Sequence, residues 1–272
     1  MGSVPMDDAD RLADRLQAHL PHSARVWNYL LGGKDHYPAD AEAGEMILRM
    51  FPDIARIARL QRGFLVRAVR QLAGEAGIRQ FLDIGTGLPT GDNTHEVAQR
   101  IAPESRIVYV DNDPLVLVHA QALLTSSPEG ACDYIDADVR DPDRILREAA
   151  RTLDLSRPVA LTLLGIMGQL PDSDDPWGIV RRLLDALPSG SYLALSDGTD
   201  TNEALNEAIA VYNANSASSY HLRSPEQIAR FFDGLDLVEP GVVPTSRWRP
   251  EATDIQGAST EVDAICGVAR KP

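Results

Sequence analysis

The chain has 272 residues, 44% apolar and 24% charged, enough to bury a full α/β core and outside the range of a disordered polypeptide. Its formal net charge of −14 excludes a broad duplex-binding surface, which needs clustered Lys and Arg, so no nucleic-acid partner is expected. The only lysines are Lys34 and Lys271, an arginine bias that points to a GC-rich bacterial genome.

Taken in chain order, Asp10 to Leu20 reads as a short amphipathic helix with Leu12, Leu16 and Leu20 at four-residue spacing. The run Ser23–Leu31 ends at Gly32-Gly33 and passes into the polar turn Lys34-Asp35-His36-Tyr37. Two readings of that turn stand side by side, a glycine-capped helix end and a ligand-contacting loop. From Pro52 to Gly77 the pattern is helical, with Ile54, Ile57, Leu60, Phe64, Leu65, Val69 and Leu72 on one face. Arg56, Arg59, Arg62, Arg67 and Arg70 lie mostly off that face and are expected in solvent, with Arg62 placed to reach a carboxylate.

After Gly77 strands and helices alternate. Strands are expected at Gln80–Ile84, Arg106–Val110, Cys132–Ile135, Pro158–Leu164 and Ser191–Leu195. Helices fit at Asp92–Ile101, Pro114–Leu124, Asp141–Leu153 and Pro176–Leu187. This rhythm predicts a doubly wound, mostly parallel α/β sheet with helices on both faces. Thr201 to Asn213 reads as a helix, and Ser224-Pro225-Glu226-Gln227 as a capping box opening another. Leu235–Val238 and Val262–Ala269 read as strands, with Pro244 to Gln256 irregular between them. Cys132 and Cys266 fall in strand-like runs and are expected as reduced thiols. The acidic amino terminus shows no signal segment, and the longest apolar run, near Val159–Leu170, is too short to span a bilayer. A cytoplasmic protein without a membrane partner is expected.

The chemistry centres on Phe81–Thr90, a buried strand ending in Asp83 that opens into Gly85-Thr86-Gly87. The glycines let the backbone approach a ligand. The dinucleotide fingerprint fails, because its third glycine position is Thr90. Asp83 would also repel a pyrophosphate at the following helix, but it suits a cofactor carrying ammonium and sulfonium charge and no phosphate. S-adenosylmethionine is such a cofactor. Asp111, ending the second strand, is placed to accept from two ribose hydroxyls, with Asn112 beside it for adenine. Asp138, after the third strand, can accept from the adenine amine, with the Val139 backbone nearby.

With these residues the chain resembles class I S-adenosylmethionine-dependent methyltransferases, and more narrowly a bacterial family long described as a domain of unknown function. The resemblance rests on Trp27–Asp35, Phe81–Thr90, Val108–Pro114, Asp138–Pro142, Leu187–Leu193, Arg223–Pro240 and Trp248–Pro250, and so covers nearly the whole chain. It implies a Rossmann-like, seven-stranded sheet with one antiparallel strand near the carboxyl terminus. It also implies a helical cap over residues 1–77 on a core of residues 78–272, forming one structural unit. Tyr29, Asp35, Arg62, Leu164 and Gly165 join Asp83, Gly85, Thr86, Gly87, Asp111, Asn112, Asp138 and Val139 as expected cofactor contacts. The chain departs from its relatives at Gly165–Leu170, where many carry a His, and at Ser196-Asp197-Gly198-Thr199, where many carry a Ser-His pair.

Methyl transfer is an in-line displacement in which positioning supplies much of the rate, so a base is optional. His36 is the first candidate base, with Tyr37 beside it, followed by His221 and Tyr220. Asp197 sits at the same rim. No spacing of His, Cys and carboxylates suggests a metal. The leading reading is a methyltransferase acting on a small-molecule acceptor. Behind it stand a non-catalytic S-adenosylmethionine-binding regulatory protein and a nucleotide-cofactor oxidoreductase. Both a monomer and a homodimer are compatible with this reading.

Overall fold

Runs rich in Val, Ile and Leu supply five parallel strands: β1 (Gln80–Ile84), β2 (Arg106–Asp111), β3 (Ala131–Asp136), β4 (Ala160–Leu164) and β5 (Tyr192–Gly198). The computed structural model describes residues 16–123, 125–250 and 262–272. Beyond β5, two short strands, β6 (Asp236–Leu237) and β7 (Val243–Pro244), pair with β8 (Ala264–Arg270), which runs antiparallel to β5. The order is β3-β2-β1-β4-β5-β8-β6, with β7 also on β8. The strand expected at Leu235–Val238 is β6, and β7 is an eighth strand beyond the seven expected. Between the two Pro240 offers no N–H and Gly241 takes φ +87°, so the chain turns away and rejoins the edge.

Side chains alternate across the sheet. Leu82, Ile84, Val108, Val110, Leu161 and Leu163 meet α6 (Pro142–Ala149) and α7 (Pro176–Asp185) on one face. Phe81, Ile107, Tyr109 and Ala160 meet the other layer, which includes the second half of α3 (Ile54–Gly74) and Trp248. α4 (Thr94–Ile101) lies on that layer, and α5 (Pro114–Leu123) packs on β2 and β3. The strand order reverses between β1 and β4, so a crevice opens at their carboxyl ends.

Above the crevice, α1 (Ser23–Leu30), α2 (Pro38–Met50), the first turns of α3 and α8 (Glu203–Asn213) share a third cluster. Leu30, Ile47, Ile54, Ile57 and Leu205 are buried in it, each contributing about 1.5–3 kcal/mol. The cap therefore draws one wall from the carboxyl-terminal half of the chain. α3 belongs to both layers: Ile54 and Ile57 face the cap, and Phe64, Val69 and Leu72 face the sheet.

Several sequence expectations are corrected here. α2 falls within the expected helical cap, but no sequence pattern marked Pro38–Met50 as a helix. Residues 10–15 of the expected first helix lie outside the described residues, and Gln17–Leu20 form a turn. Arg67 is buried, because its Nε and Nη2 donate to the carbonyls of Trp248 and Thr245 at 2.8 and 2.7 Å and so pin that irregular stretch. The capping box at Ser224 opens α9 (Pro225–Ala229) as expected, with Ser224 Oγ accepting from Gln227 N and Gln227 Oε1 from Ser224 N.

Candidate functional site

The loop after β1 rests on two left-handed glycines, Gly85 at φ +73° and Gly87 at φ +65°. A Cβ on Gly85 would overlap Ile166, whereas one on Gly87 would meet nothing within 4 Å, so the space beside Gly87 is open. Asp111 fixes the loop from β2, its Oδ2 accepting from Gly87 N at 2.9 Å and its Oδ1 from Asp113 N at 3.0 Å. Burial pushes the Asp111 carboxyl up, and the two backbone N–H groups oppose that rise. Each oxygen keeps a lone pair for a further donor.

Asp83 is held by the register of the sheet. It sits beside Thr162 on neighbouring strands, and the Thr162 hydroxyl donates to Oδ1 at 2.7 Å while that of Thr94 donates to Oδ2 at 2.5 Å. Burial raises its pKa, with the two hydroxyls and the charge of Arg62 pulling against that rise. At the rim, Asn112 Nδ2 donates to Asp138 Oδ2 at 3.2 Å, and Arg140 spans Asp138 and Asp174.

These groups line a cavity of about 560 Å³ that runs from the glycine loop to beneath the cap. Ligand pockets occupy this size range. Its upper part is walled by apolar side chains, among them Val26, Leu30, Ile54, Ile57, Leu205 and Ile209. The segment Ala217–Tyr220 closes one side, and Ala217 N reaches Pro21 O at 3.1 Å. Six carboxylates line the cavity (Asp83, Asp111, Asp113, Asp138, Asp197 and Asp263) against three guanidiniums (Arg25, Arg62 and Arg140), so the wall favours a cationic ligand.

A buried ion network ties cap to crevice. Arg25 Nε of α1 lies 3.2 Å from Asp113 Oδ2 and 3.8 Å from Asp40 Oδ1, and all three side chains are out of solvent. His22 Nδ1 is 3.0 Å from the same Asp113 oxygen, and Asp40 accepts from the backbone N–H groups of His22 and Tyr37. Burial alone would raise the Asp113 pKa, but His22, the Leu115 N–H and Arg25 together hold it below the usual range.

At the end of β5 stands Asp197, 3% exposed. Its Oδ1 accepts from Tyr220 Oη at 2.6 Å and from Gly168 N at 3.2 Å, while Oδ2 has no hydrogen-bond partner. Burial raises its pKa to about 6 against the pull of Tyr220 and Arg223. Gly168 has to be glycine, because a Cβ there would overlap the Tyr220 ring.

Of the residues expected to contact the cofactor, Arg62, Asp83, Gly85, Thr86, Gly87, Asp111, Asn112, Asp138, Val139, Leu164 and Gly165 all line the cavity. Tyr29 and Asp35 do not, and neither do the candidate bases His36, Tyr37 and His221. The reason lies in how α1 ends. Gly32 N bonds Tyr29 O and Gly33 N bonds Asn28 O, a Schellman turn that swings the chain away from the crevice. His36 then packs edge-on against Tyr29, and Tyr37 lies under the Arg25 guanidinium. The turn does reach the cavity indirectly: Asn28, a wall residue, accepts from Asp35 N at 3.0 Å. Gly33 leaves room for the Asn28 side chain, which a Cβ there would overlap. In the extended segment after Ser219 side chains alternate, so Tyr220 and Leu222 line the cavity and His221 faces away. Arg62 donates to the carbonyls of Gly91 and Asp92 rather than to a carboxylate.

Sequence reasoning missed His22, Arg25, Asn28, Gln61 and Tyr212 as wall residues. Gln61 is legible in retrospect as a polar residue at a buried helical position, where its Nε2 donates to Ser196 Oγ at 3.0 Å. Among the described residues no group of His, Cys, Asp and Glu is placed to hold a metal ion, and no helix is long and apolar enough to cross a membrane.

Comparison with known proteins gives matches over almost the whole chain. A family model described as S-adenosyl methyltransferase matches residues 9–272. A DUF574 family protein of Streptomyces avermitilis is 50% identical with a TM-score of 0.91, the match covering 94% of this chain and 100% of that one. A protein of Thermobifida fusca described as a candidate methyltransferase is 42% identical with a TM-score of 0.85, covering 94% of this chain and 97% of that one. The plantazolicin methyltransferase BamL, at 12% identity and a TM-score of 0.53 over 96% of this chain and 97% of its own, shares the fold. No curated protein gives a match.

Proposed function

The chain belongs to the S-adenosyl methyltransferase family, and on that premise we propose that it methylates a small-molecule acceptor bound in the chamber beneath the helical cap. The carrying observation is one continuous cavity that joins the glycine loop and its acidic strand ends to an apolar chamber.

The residues present fit S-adenosylmethionine. The open space beside Gly87 admits a ligand against the backbone, and the excess of carboxylates suits the ammonium and sulfonium charges of a cofactor without phosphate. When bound, the cofactor supplies a methyl group activated on a sulfonium sulfur. In this reading Asp111 takes the ribose hydroxyls, and Asn112, Asp138 and Val139 flank the adenine. Asp83, Gly85, Thr86, Leu164 and Gly165 receive the aminoacid end, with the field of Arg62 balancing Asp83. The cap excludes water through α1, α2 and α8, and Asn28 and Gln61 orient the groups at the junction. His36 and Tyr37 act as struts that hold Asn28 and Arg25, and proton transfer is not assigned to them or to His221.

We place residues 1–77 as a cap working with the core 78–272 as one unit, in the cytoplasm. The unpaired thiols of Cys132 and Cys266 support that compartment. Titration calorimetry with S-adenosylmethionine, S-adenosylhomocysteine and NAD tests the reading. Binding of both S-adenosyl compounds, no binding of NAD, and release of S-adenosylhomocysteine with an acceptor pool are expected. NAD binding, or a failure of both S-adenosyl compounds, would contradict it.

A further inference from the structure

We propose that the chamber beneath the cap takes an apolar amine as acceptor, its nitrogen seated against Asp197. The proposal deepens the methyltransferase reading and rests on it.

Asp197 is buried in the wall with Oδ1 doubly engaged and Oδ2 without a partner. A buried carboxylate oxygen left unpaired is costly, and a ligand N–H offers the missing donor. The guanidinium whose charge reaches Asp197 is that of Arg223, and it is already bound to the carbonyls of Met167 and Leu170 and to Asp172. An acceptor carrying a carboxylate or phosphate at this end of the chamber would therefore meet the Asp197 carboxylate beside a guanidinium already engaged.

Around Asp197, Leu205, Ile209 and Leu222 join the apolar cap residues, beside a polar strip of Tyr212, Ser218 and Ser219. Such a wall favours a hydrocarbon body over a sugar or nucleotide. Asp263, the other carboxylate at this end, already accepts from Asn202 Nδ2 at 3.1 Å and from Thr201 Oγ1 at 3.3 Å, which singles out Asp197 as the seat. Tyr220 holds the carboxylate in place by its 2.6 Å bond and is itself fixed by paired bonds to Asn213, at 2.7 and 2.8 Å. Tyr220, Arg223 and the Gly168 N–H favour the charged form of the carboxyl against its burial, and an ammonium on Oδ2 would favour it further. The seat therefore attracts an ammonium, which gives up one proton to water before transfer. The freed lone pair then forms the N–CH3 bond as the methyl–sulfur bond breaks, S-adenosylhomocysteine leaves, and Asp197 balances the charge on the methylated nitrogen.

The test compares three probes with one skeleton, 4-phenylbutylamine, 4-phenylbutanol and 4-phenylbutyrate, titrated into the protein with and without S-adenosylhomocysteine. The amine is expected to bind at least tenfold more tightly than the acid, with the alcohol between them. Asp197→Asn should weaken the amine about tenfold and leave S-adenosylhomocysteine affinity unchanged. Equal or tighter binding of the acid, binding of none of the three, or an Asp197→Asn protein that keeps full amine affinity would overturn the proposal. The probe comparison needs no variant, so it stands even if Asp197→Asn fails to fold. Failure of S-adenosylhomocysteine itself would instead contradict the cofactor reading, and the titrations without it still report on the amine seat.

Discussion

Arg25 and Asp113 meet at 3.2 Å with both side chains out of solvent, one on the first described helix of the cap and the other two residues beyond Asp111. The pair joins cap and crevice at the point where the ribose is expected. Removing one partner of such a pair leaves an uncompensated buried charge, which costs about 3–5 kcal/mol. Arg25→Met should lose stability on that scale in urea unfolding, and adding Asp113→Asn should recover part of the loss. Strict additivity of the two changes would show that the pair is not coupled.

Asp111 holds the glycine loop and faces the cavity. Asp111→Ala should weaken S-adenosylhomocysteine binding by about 1–3 kcal/mol through lost charge-assisted bonds. Calorimetry checks this, and wild-type affinity in the variant would contradict the ribose contact.

Burial raises the Asp197 pKa to about 6, so the native state holds this proton more tightly than the unfolded chain. The stability the group contributes is therefore full below about pH 4 and is lost as the pH rises through about 6. Above that range the charged carboxylate costs up to about 3 kcal/mol. Asp197→Asn should gain about 1–3 kcal/mol at pH near 7.5, and the gain should vanish near pH 4. A variant destabilised equally at both pH values would instead mark Asp197 as a purely structural hydrogen-bond acceptor.

His36 packs on Tyr29 outside the cavity wall. His36→Ala should leave S-adenosylhomocysteine affinity within about twofold and lower stability by about 1 kcal/mol or less. Gly33→Ala, in contrast, forces the Asn28 side chain out of place and should cost about 1–3 kcal/mol and weaken cofactor binding. Equal effects of the two variants on affinity would contradict the indirect role of this turn.

The parallel sheet and its acidic strand ends were legible because each buried strand is a short aliphatic run closed by Asp or Gly. The register then brings Asp83, Asp111 and the Asp138 segment to one rim. α2 escaped because Pro38–Met50 carries little apolar periodicity: its helix is held by Asp40 at its start, by Tyr29 over Gly44 and by the buried Ile47. The polar run after Gly33 drew attention to itself through composition, yet composition cannot say which way a Schellman turn sends the chain. Arg25 and Gln61 were hidden for a related reason. Their meaning comes from partners 88 and 135 residues away, Asp113 and Ser196, which only the folded chain brings near.

The double membership of α3 has a consequence for traffic. A helix of 21 residues spans about 31 Å, and this one has no proline inside it. Its two halves are anchored in different clusters, so swinging the cap open as a flap would bend a continuous rod with buried side chains at both ends. The easier door is the stretch 217–219, just before the anchored Tyr220, where a single backbone bond from Ala217 to Pro21 bridges to the amino-terminal side. Ligands would then come and go past a latch while the roof stays still, and exchange rates would follow changes at that latch rather than at the helices above it.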